Sequence, residues 1–316
     1  MPGNASFDQI ASTSLKKYRK TLSDNVFKRM AFFYKMMENG RKELESGGEK
    51  IVEPLTISAN STAGGYSGYQ TIDVTPQEEI SAAEYVWAQY ASSIAISGRQ
   101  ERQNAGETQI IKLLEAKAQI AEKSLRREMD IDLFGSTLNA ENKLNGLQSL
   151  IDTTSTVGGI NRSSGDNAFW QANVSASVGS FATLGLNAMR TAYNNASDEG
   201  QDTPNFGVTT QSIFEFYEKS LQSQQRFQDN KVADGGFMTL KFKNMDLFWD
   251  SNVASGEMYM LNTDWLKLKV HKDADMETTE FVKPANQDAK VAQILWMGNL
   301  VILQPRRQAK LTGITA

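Results

Sequence analysis

The spacing of hydrophobic residues changes several times along this 316-residue chain, and each change predicts a different element. Between Ser23 and Leu44, apolar residues recur every three or four positions, which is typical of an amphipathic helix with Ser23 or Asp24 as its N-cap. The pair Gly47-Gly48 then ends the segment. The apolar stripe packs either on the chain's own core or on a partner subunit. The candidate contact residues are Phe27, Met30, Phe33 and Tyr34.

An alternating pattern follows and predicts a two-armed β-ribbon within Ile51–Ser97. The first arm is Ile51–Ser58, in which Pro54 is compatible only with an edge strand. Residues Asn60–Tyr69 are rich in turn formers and predict the tip of the ribbon. The return arm, Ile80–Ile96, alternates with a period of two residues, although part of it also fits helical spacing.

A ribbon of this length needs a surface to cover. Its arms span about 25 Å or more at about 3.3 Å per residue, and an isolated two-stranded ribbon is only marginally stable in water. If the chain does not supply that surface itself, a second copy must. The residues predicted to contact such a neighbour are Ile57, Gly64, Gly65, Tyr66, Gly68, Tyr69, Tyr85, Trp87 and Tyr90.

The segment Gly106–Phe134 carries a sustained helical stripe without an internal Gly or Pro, and Gly135 ends it. Some two dozen residues make a rod of about 36 Å. Asp130 and Asp132 lie near its end. Because residues two apart on a helix point about 200° away from each other, a shared metal ion is not expected. We interpret both carboxylates as solvated surface groups.

The second half predicts shorter elements of both kinds. Helical stripes run from Phe181 to Tyr193 and, after an N-cap at Thr210, as far as Leu221. Strands separated by turns rich in Asn and Asp are predicted at Phe237–Lys243, Leu247–Trp249, Met258–Leu261 and Leu266–Val270. The last predicted element is a hairpin with arms Val291–Trp296 and Leu300–Leu303 around Met297-Gly298-Asn299.

The composition excludes several kinds of chemistry. The chain has no Cys, so it forms neither disulfides nor thiolate sites. Its one His, His271, excludes multi-histidine metal sites and most catalytic triads, and we interpret it as a surface or turn residue. The glycine-containing segments 64–68 and 158–159 lack the Lys-Ser or Lys-Thr of a phosphate-binding loop. We therefore expect no catalytic residue, no cofactor and no metal.

Charge is unevenly distributed. The net charge is −4, with +4 up to Lys50 and −8 in the remainder, which argues against a protein whose main task is to bind nucleic acid. The first ten residues show no secretory leader. The most apolar stretch, Val291–Leu303, is too short to cross a bilayer. We expect a protein that folds in a cytoplasm and has no membrane partner.

The order of elements resembles the major capsid proteins of tailed bacteriophages, which have the Hong Kong 97-type coat fold. Three stretches carry the resemblance: the ribbon that leads through Ala95-Ile96-Ser97 into the helix, the segment Gly256–Leu266, and the tail from Gln293 to Ile314. The implied fold class is α+β. Its parts are an N-terminal arm (1–50), an extended β-ribbon loop (51–98), a peripheral domain (99–196) with a long spine helix (106–134), an axial α/β domain (197–270) and return strands completing the peripheral domain (271–316).

The resemblance implies a non-enzymatic coat protein that assembles into hexamers and pentamers of an icosahedral head around double-stranded DNA, without sequence-specific contacts. The implied partners are further copies of the chain, scaffolding and portal proteins, and the implied location is the virion capsid, assembled in the host cytoplasm. Scaffolding by a separate protein and by the short N-terminal arm remain equally open. The alternatives are an encapsulin-like nanocompartment shell, an uncharacterised hydrolase, and a nucleic-acid-binding module that uses the basic N-terminal stretch.

Overall fold

The computed structural model describes residues 30–38, 40–103, 107–197, 202–222 and 240–315. Its α-helices are α1 (Ala31–Met37), α2 (Gly98–Gln103), α3 (Glu107–Leu133), α4 (Leu147–Leu150), α5 (Leu186–Ala196) and α6 (Gln211–Gln222). A π-helical turn, Phe181–Gly185, precedes α5, and 3-10 turns lie at Gly165–Trp170 and Pro305–Arg307. The strands are β1 (Lys42–Glu45), β2 (Ile51–Thr56), β3 (Ile80–Tyr85), β4 (Ala88–Ser97), β5 (Thr156–Val157), β6 (Ile160–Asn161), β7 (Asn173–Ser175), β8 (Gly179–Ser180), β9 (Phe206–Thr209), β10 (Leu240–Phe242), β11 (Met245–Trp249), β12 (Met258–Leu261), β13 (Leu266–Thr278), β14 (Ala289–Ile302), β15 (Ala309–Leu311) and β16 (Ile314–Thr315).

The long helix α3 packs on a four-stranded sheet of order β1-β13-β14-β4. Ala121, Leu125, Met129 and Leu133 follow one another at four-residue steps and are all buried, so they form the stripe that the helical spacing predicts. Strands β13 and β14 are antiparallel, whereas β1 adds to the edge in parallel. The larger of the two hydrophobic cores lies here and extends to side chains of β9, β11 and β12, such as Phe206 and Tyr259.

A second unit is built on a six-stranded sheet of order β10-β11-β9-β12-β15-β7. Helices α5 and α6 contact it through buried side chains that include Met189 and Tyr217, and these belong to a separate core with Met258 and Leu311. Aromatic rings connect the two units: Phe32 of α1 lies 5.7 Å from Phe134 at the end of α3 and 5.9 Å from Phe206 of β9, measured between ring centroids. The short helix α1 is therefore wedged between the long helix and the six-stranded sheet.

Strands β2 and β3 form a two-stranded antiparallel ribbon that joins neither large sheet. Pro54 lies on β2, which pairs with β3 on one side only and is therefore an edge strand, as predicted. The chain continues from β3 into β4, which pairs along its whole length with β14. The predicted return arm is thus a strand throughout, except at residues 86–87, but only its first six residues belong to the ribbon.

Two predicted elements are wrong. The helix predicted to reach Leu44 ends at Met37, where Glu38 is already extended, and β1 follows as a strand after Gly40, whose φ is +89°. The hairpin predicted around Met297-Gly298-Asn299 is one continuous strand, β14. Gly298 occurs there because a Cβ atom would lie 2.4 Å from the backbone oxygen of Lys269 on β13. The glycine permits a close approach between two strands and does not form a turn.

The elements group differently from the predicted segments. Strand β7 and helix α5 fall in the segment 99–196 but pack with the six-stranded sheet, and so does β15 from the segment 271–316. The first residues of β13 fall in the segment 197–270 but belong to the four-stranded sheet. None of the helices described is both long enough and apolar enough to cross a bilayer.

Candidate subunit-contact site

The loop between β2 and β3 is the most exposed long segment of the described chain. We call β2, β3 and this loop (residues 51–85) the projecting ribbon. Almost every residue from 58 to 78 is exposed, and the backbone of Ile57 is still held by the carbonyl of Glu79 at 2.9 Å. Large apolar side chains that face solvent on the ribbon are Val52, Tyr66, Tyr69, Ile72, Val74 and Ile80. Six large apolar side chains exposed on one projecting element are candidates for an interaction surface.

Glycines and short polar side chains shape the tip. Gly64 and Gly65 have no atom within 4 Å of where a Cβ would stand, and Gly68 has a φ of +42°. Hydrogen bonds within the tip are local, as between Thr62 and Asn60. These predicted contact residues therefore lie in solvent in the single chain, where a neighbour can reach them.

The ribbon carries charge of one sign. From Ile51 to Gly98 the sequence contains five acidic residues and no Lys, Arg or His. Hydrogen bonds from the side chain and backbone of Thr75 lower the pKa of Asp73, so this carboxylate stays ionised at neutral pH. The surface offered by the ribbon is apolar and acidic.

The base of the ribbon is fixed to its own subunit. The Tyr85 hydroxyl donates to the backbone oxygen of Ile302 at 2.8 Å, and the Trp87 indole donates to that of Gly48 at 2.9 Å. Tyr90 donates to Asp132 at 2.7 Å. All three aromatic residues are buried, so the prediction that they contact a neighbour does not agree with the structure. Their rings complete the subunit's own core, and their hydroxyl and indole groups find intrachain acceptors.

An ionic cluster holds the first ribbon strand against the four-stranded sheet. Lys269 of β13 lies 2.7 Å from Glu43, 2.9 Å from Glu45 and 2.7 Å from Glu53, measured from Nζ to the nearest carboxylate oxygen. Burial opposes the charge on Lys269, but the three carboxylates outweigh it and raise the pKa of the ammonium group. One lysine thus ties β1 and β2 to β13.

The predicted arm contacts have different positions. Met30 and Phe33 are buried in the subunit core, which corrects the prediction that they face a partner. Tyr34 is 46% exposed and remains accessible. Phe27 lies outside the described residues. Since α1 lies between two units of the same subunit, its apolar face packs on the chain's own core, which is one of the two possibilities that the sequence allowed.

The outer face of α3 is an exposed surface whose charge is opposite in sign to that of the projecting ribbon. Ile120 and Ile131 are exposed there, and between them lie two exposed cations, Lys123 and Arg127, and one exposed acid, Glu128, so the exposed charge is net positive. The stripe covers about 16 Å of helix at 1.5 Å per residue. A second exposed apolar pair, Phe281 and Val282, follows the end of β13. These positions are not distinguishable from ordinary polar-face residues by sequence spacing alone.

His271, Asp130 and Asp132, the residues considered above for catalysis or metal binding, make structural contacts. His271 lies on β13, half-buried, with its ring 5.9 Å from that of Trp87, so it is a strand residue and not a turn residue. Asp130 and Asp132 are both buried, which corrects their assignment to solvated surface, and they have separate partners. Over the described ranges, no group of three or more His, Asp or Glu side chains is arranged to hold a metal ion.

Comparisons with known proteins address the whole chain. No protein-family model matches it, and no curated protein does. A chain of the cyanophage A-1(L) capsid asymmetric unit is 13% identical, with a TM-score of 0.66 over 97% of this chain and 99% of that chain. A capsid chain of the native GTA particle is 11% identical, with a TM-score of 0.64 over 100% of both chains. A chain from Gordonia phage Cozz is 11% identical, with a TM-score of 0.59 over 99% of this chain and 94% of that chain. The chain therefore has the fold of phage capsid chains, which confirms the predicted α+β, Hong Kong 97-like fold class.

Proposed function

We propose that this chain is the major capsid protein of a tailed phage, a non-enzymatic subunit that assembles into hexamers and pentamers of an icosahedral head. The observation that carries the proposal is the projecting ribbon, whose large apolar side chains are left exposed by the described residues of their own subunit. The whole-length likeness to capsid chains supports it. Double-stranded DNA, scaffolding and portal proteins are the further partners, and the virion is the location.

The projecting ribbon binds the neighbouring copy of the chain. Fully burying a side chain such as Ile or Val contributes about 1.5–3 kcal/mol, so the exposed apolar residues of the ribbon together favour the contact. The acidic ribbon and the helix face around Arg127 have opposite charge, which gives the contact orientation and speeds the encounter. We propose that the exposed face of α3 on the neighbouring copy receives the ribbon.

Electron microscopy of the purified full chain tests the proposed function. We expect closed shells, or isolated rings of six and five copies, at micromolar concentration. A chain that remains a monomer up to 100 μM, in the presence and absence of a co-expressed scaffolding protein, contradicts the proposal. The readout does not depend on any assumption about which residues form the contact.

A charge-exchange experiment tests the receiving surface. The variant Asp73→Lys/Glu78→Lys places cations on the ribbon, and we expect it to reduce the yield of shells at least tenfold. Adding Lys123→Glu/Arg127→Glu restores opposite charge and should recover most of the yield. Glu218→Lys, on the exposed side of α6, is the matched control and should assemble normally. Failure of the combined variant to recover assembly rejects α3 as the acceptor.

A further inference from the structure

The hairpin formed by β5 and β6 packs against strand β3 of the projecting ribbon. The carbonyl of Gly158 accepts a hydrogen bond from the backbone N–H of Glu84 at 3.0 Å. A Cβ atom on Gly158 would lie 2.6 Å from that of Ala83 and 3.4 Å from the Cζ atom of Tyr85. The hairpin therefore borders the ribbon beside the residue, Tyr85, whose hydroxyl fixes its base to the core.

A buried arginine anchors this hairpin to the body of the subunit. Arg162 directly follows β6 and is 0% exposed. Its Nη1 atom donates to the backbone oxygens of Leu150 at 2.8 Å and Asp152 at 3.0 Å, and lies 3.5 Å from that of Ser149. These oxygens belong to the end of α4 and to the loop that leads into β5. One side chain thus joins the segment before the hairpin to the segment after it.

A tryptophan adds a second contact between Arg162 and the hairpin. Trp170 is 2% exposed, and its indole N–H donates to the backbone oxygen of Val157 in β5 at 2.9 Å. The Cζ atom of Arg162 lies 6.0 Å from the centroid of the Trp170 ring. A cation near the face of an aromatic ring is attracted to it, and more strongly when both are removed from water. Arg162 therefore acts on the hairpin through backbone oxygens and through Trp170.

Packing alone does not account for an arginine at this position. Over the described ranges, Arg162 is in no ion pair, and its Nε and Nη2 atoms have no acceptor. Burial lowers the pKa of Arg162 to about 10, against the opposing influence of Tyr85 and Asp152, so the guanidinium is still charged at neutral pH. A hydrophobic side chain of similar size would fill the same space without the cost of burying a charge.

We propose that Arg162 is a positioning residue that sets the direction in which the projecting ribbon leaves the subunit. The guanidinium holds the hairpin closed against α4, and the hairpin contacts β3 at Gly158. On the opposite strand, β2, Glu53 is held by Lys269 of the four-stranded sheet, so both strands of the ribbon are fixed. The direction is a property of the single subunit. Its consequence, that the ribbon meets the neighbouring copy at a constant angle, rests on the proposed function.

The distance between two spin labels tests the direction of the ribbon. The chain has no Cys, so Thr56→Cys at the end of β2 and Ser124→Cys on the exposed side of α3 each accept one label. Free subunits are separated from shells by sedimentation, and dilution into unlabelled chain excludes distances between copies. Because a six-residue strand spans about 20 Å, a rotation of about 15° moves its end by about 5 Å, which pulsed electron paramagnetic resonance resolves.

The variant Arg162→Met removes both the cation and its donors. We expect the distance distribution to broaden, or its maximum to shift by about 5 Å or more. Arg162→Lys should restore the narrow distribution, because the three carbonyl contacts come from one nitrogen atom and a lysine ammonium also carries three donors. Arg190→Met, on the exposed side of α5, is the matched control and should have no effect. A narrow, unshifted distribution in Arg162→Met overturns the proposal.

A second variant decides the question if Arg162→Met does not fold. Gly158→Ala leaves Arg162 in place but displaces the hairpin from β3, so it should change the distance distribution in the same way. An unaltered distribution in Gly158→Ala means that the hairpin does not direct the ribbon, and the proposal is wrong. Failure of the unchanged chain to form shells would contradict the proposed function alone, because the distances are measured on free subunits. Normal shells from a variant with a broadened distribution would reject the consequence for assembly.

Discussion

At the scale of single residues, Lys269 shows how a charged side chain becomes part of the interior. Its side chain is 8% exposed, and its three carboxylate partners come from two different strands. An ammonium group in this position is tolerated because the carboxylates replace its water. Removing it leaves partly buried anions facing one another, and these anions include Glu53, whose side chain is only 13% exposed.

We predict that Lys269→Met lowers the free energy of unfolding by about 3 kcal/mol at pH 7, since breaking a buried ion pair from one side costs about 3–5 kcal/mol. Burial raises the pKa of Glu43, but the hydrogen bonds and charges of Lys269 and Lys267 outweigh it and lower the pKa, so the stabilisation from this carboxylate is present at neutral pH and is lost as the pH falls below about 4. The deficit should shrink between pH 5 and 3. Urea unfolding measures it, and a deficit that does not depend on pH contradicts the assignment.

Lys267→Met is the matched control for that experiment. Lys267 lies on the same strand; among the described carboxylates it pairs with Glu43, at 3.3 Å, and it also donates to the backbone oxygen of Gly40. Its loss should cost less than half as much as that of Lys269. Equal effects from the two lysines would mean that strand pairing, and not the carboxylate cluster, sets the stability of this edge.

Residue types and spacing predicted the buried stripe of α3 but not the buried polar groups. The step of four residues through Leu125 and Met129 is visible in the sequence. The burial of Asp130 and Asp132 is not visible in the sequence, because it depends on α1, the turn at 250–252 and Tyr90, which are distant in the chain. From sequence alone, a carboxylate on a helix is expected to be solvated, because the distant residues that could bury it are not known.

At the scale of elements, a short hairpin supports the base of the projecting ribbon. Strands β5 and β6 are joined by Gly158-Gly159, and the carbonyl of Gly158 accepts from the backbone of Glu84 at 3.0 Å. Both glycines have positive φ, +61° and +80°. A Cβ on Gly158 would lie 2.6 Å from that of Ala83 on β3, whereas a Cβ on Gly159 would meet nothing within 4 Å.

This pair of glycines separates backbone strain from packing. We predict that Gly159→Ala costs about 1–2 kcal/mol, the penalty for a left-handed non-glycine residue. Gly158→Ala should cost a further 1–3 kcal/mol, because the added methyl group forces the hairpin away from β3. Thermal and denaturant unfolding measure both. If the two variants are equally stable, the hairpin is not packed against the ribbon in solution.

The elements themselves were predicted with unequal success, for a physical reason. The long helix and the strand Met258–Leu261 agree with prediction because their patterns are local. Strand β14 was predicted as a hairpin because Gly298-Asn299 is typical of a turn. In the structure, the side chain of Asn299 accepts from Asn145 and donates to Val86, at 2.8 and 2.6 Å. Those contacts keep a turn-forming pair inside a strand.

At the scale of the whole molecule, chain order and spatial order differ. The six-stranded sheet combines β7, β9 and β15, the first and last of which lie more than a hundred residues apart in sequence. Pairing between strands that are distant in sequence is not visible in the local spacing of apolar residues. The predicted segment boundaries therefore cut through both units. The position of the ribbon was predictable, since alternating apolar residues on either side of a polar, glycine-rich loop are a local signal.

The exposed position of the ribbon tip predicts that a change there affects assembly without affecting the folding of the subunit. Within the part of the chain that the structure describes, residues 60–69 of the projecting ribbon make local hydrogen bonds and one bond across the ribbon, from Ser61 to Gln77 at 2.9 Å. Replacing this tip by a short turn should therefore change the free energy of unfolding by less than about 1 kcal/mol, since loop length has a weak effect on stability. The same variant should form no complete shells, because Tyr66 and Tyr69 are removed from the contact surface.

A graded series decides whether the tip acts through its apolar rings. Tyr66→Ser/Tyr69→Ser keeps the length of the loop and should assemble at least tenfold less efficiently, as measured by sedimentation of shells against free subunits. Tyr66→Phe/Tyr69→Phe keeps the rings and should assemble almost normally, because the rings supply most of the buried apolar area.

The variant with the tip replaced by a short turn gives the contrary outcome if it forms normal shells and its unfolding curve matches that of the full chain. That result would show that the subunits are held together elsewhere. The exposed end of the β13–β14 hairpin at Phe281 and Val282 would then be the next surface to alter.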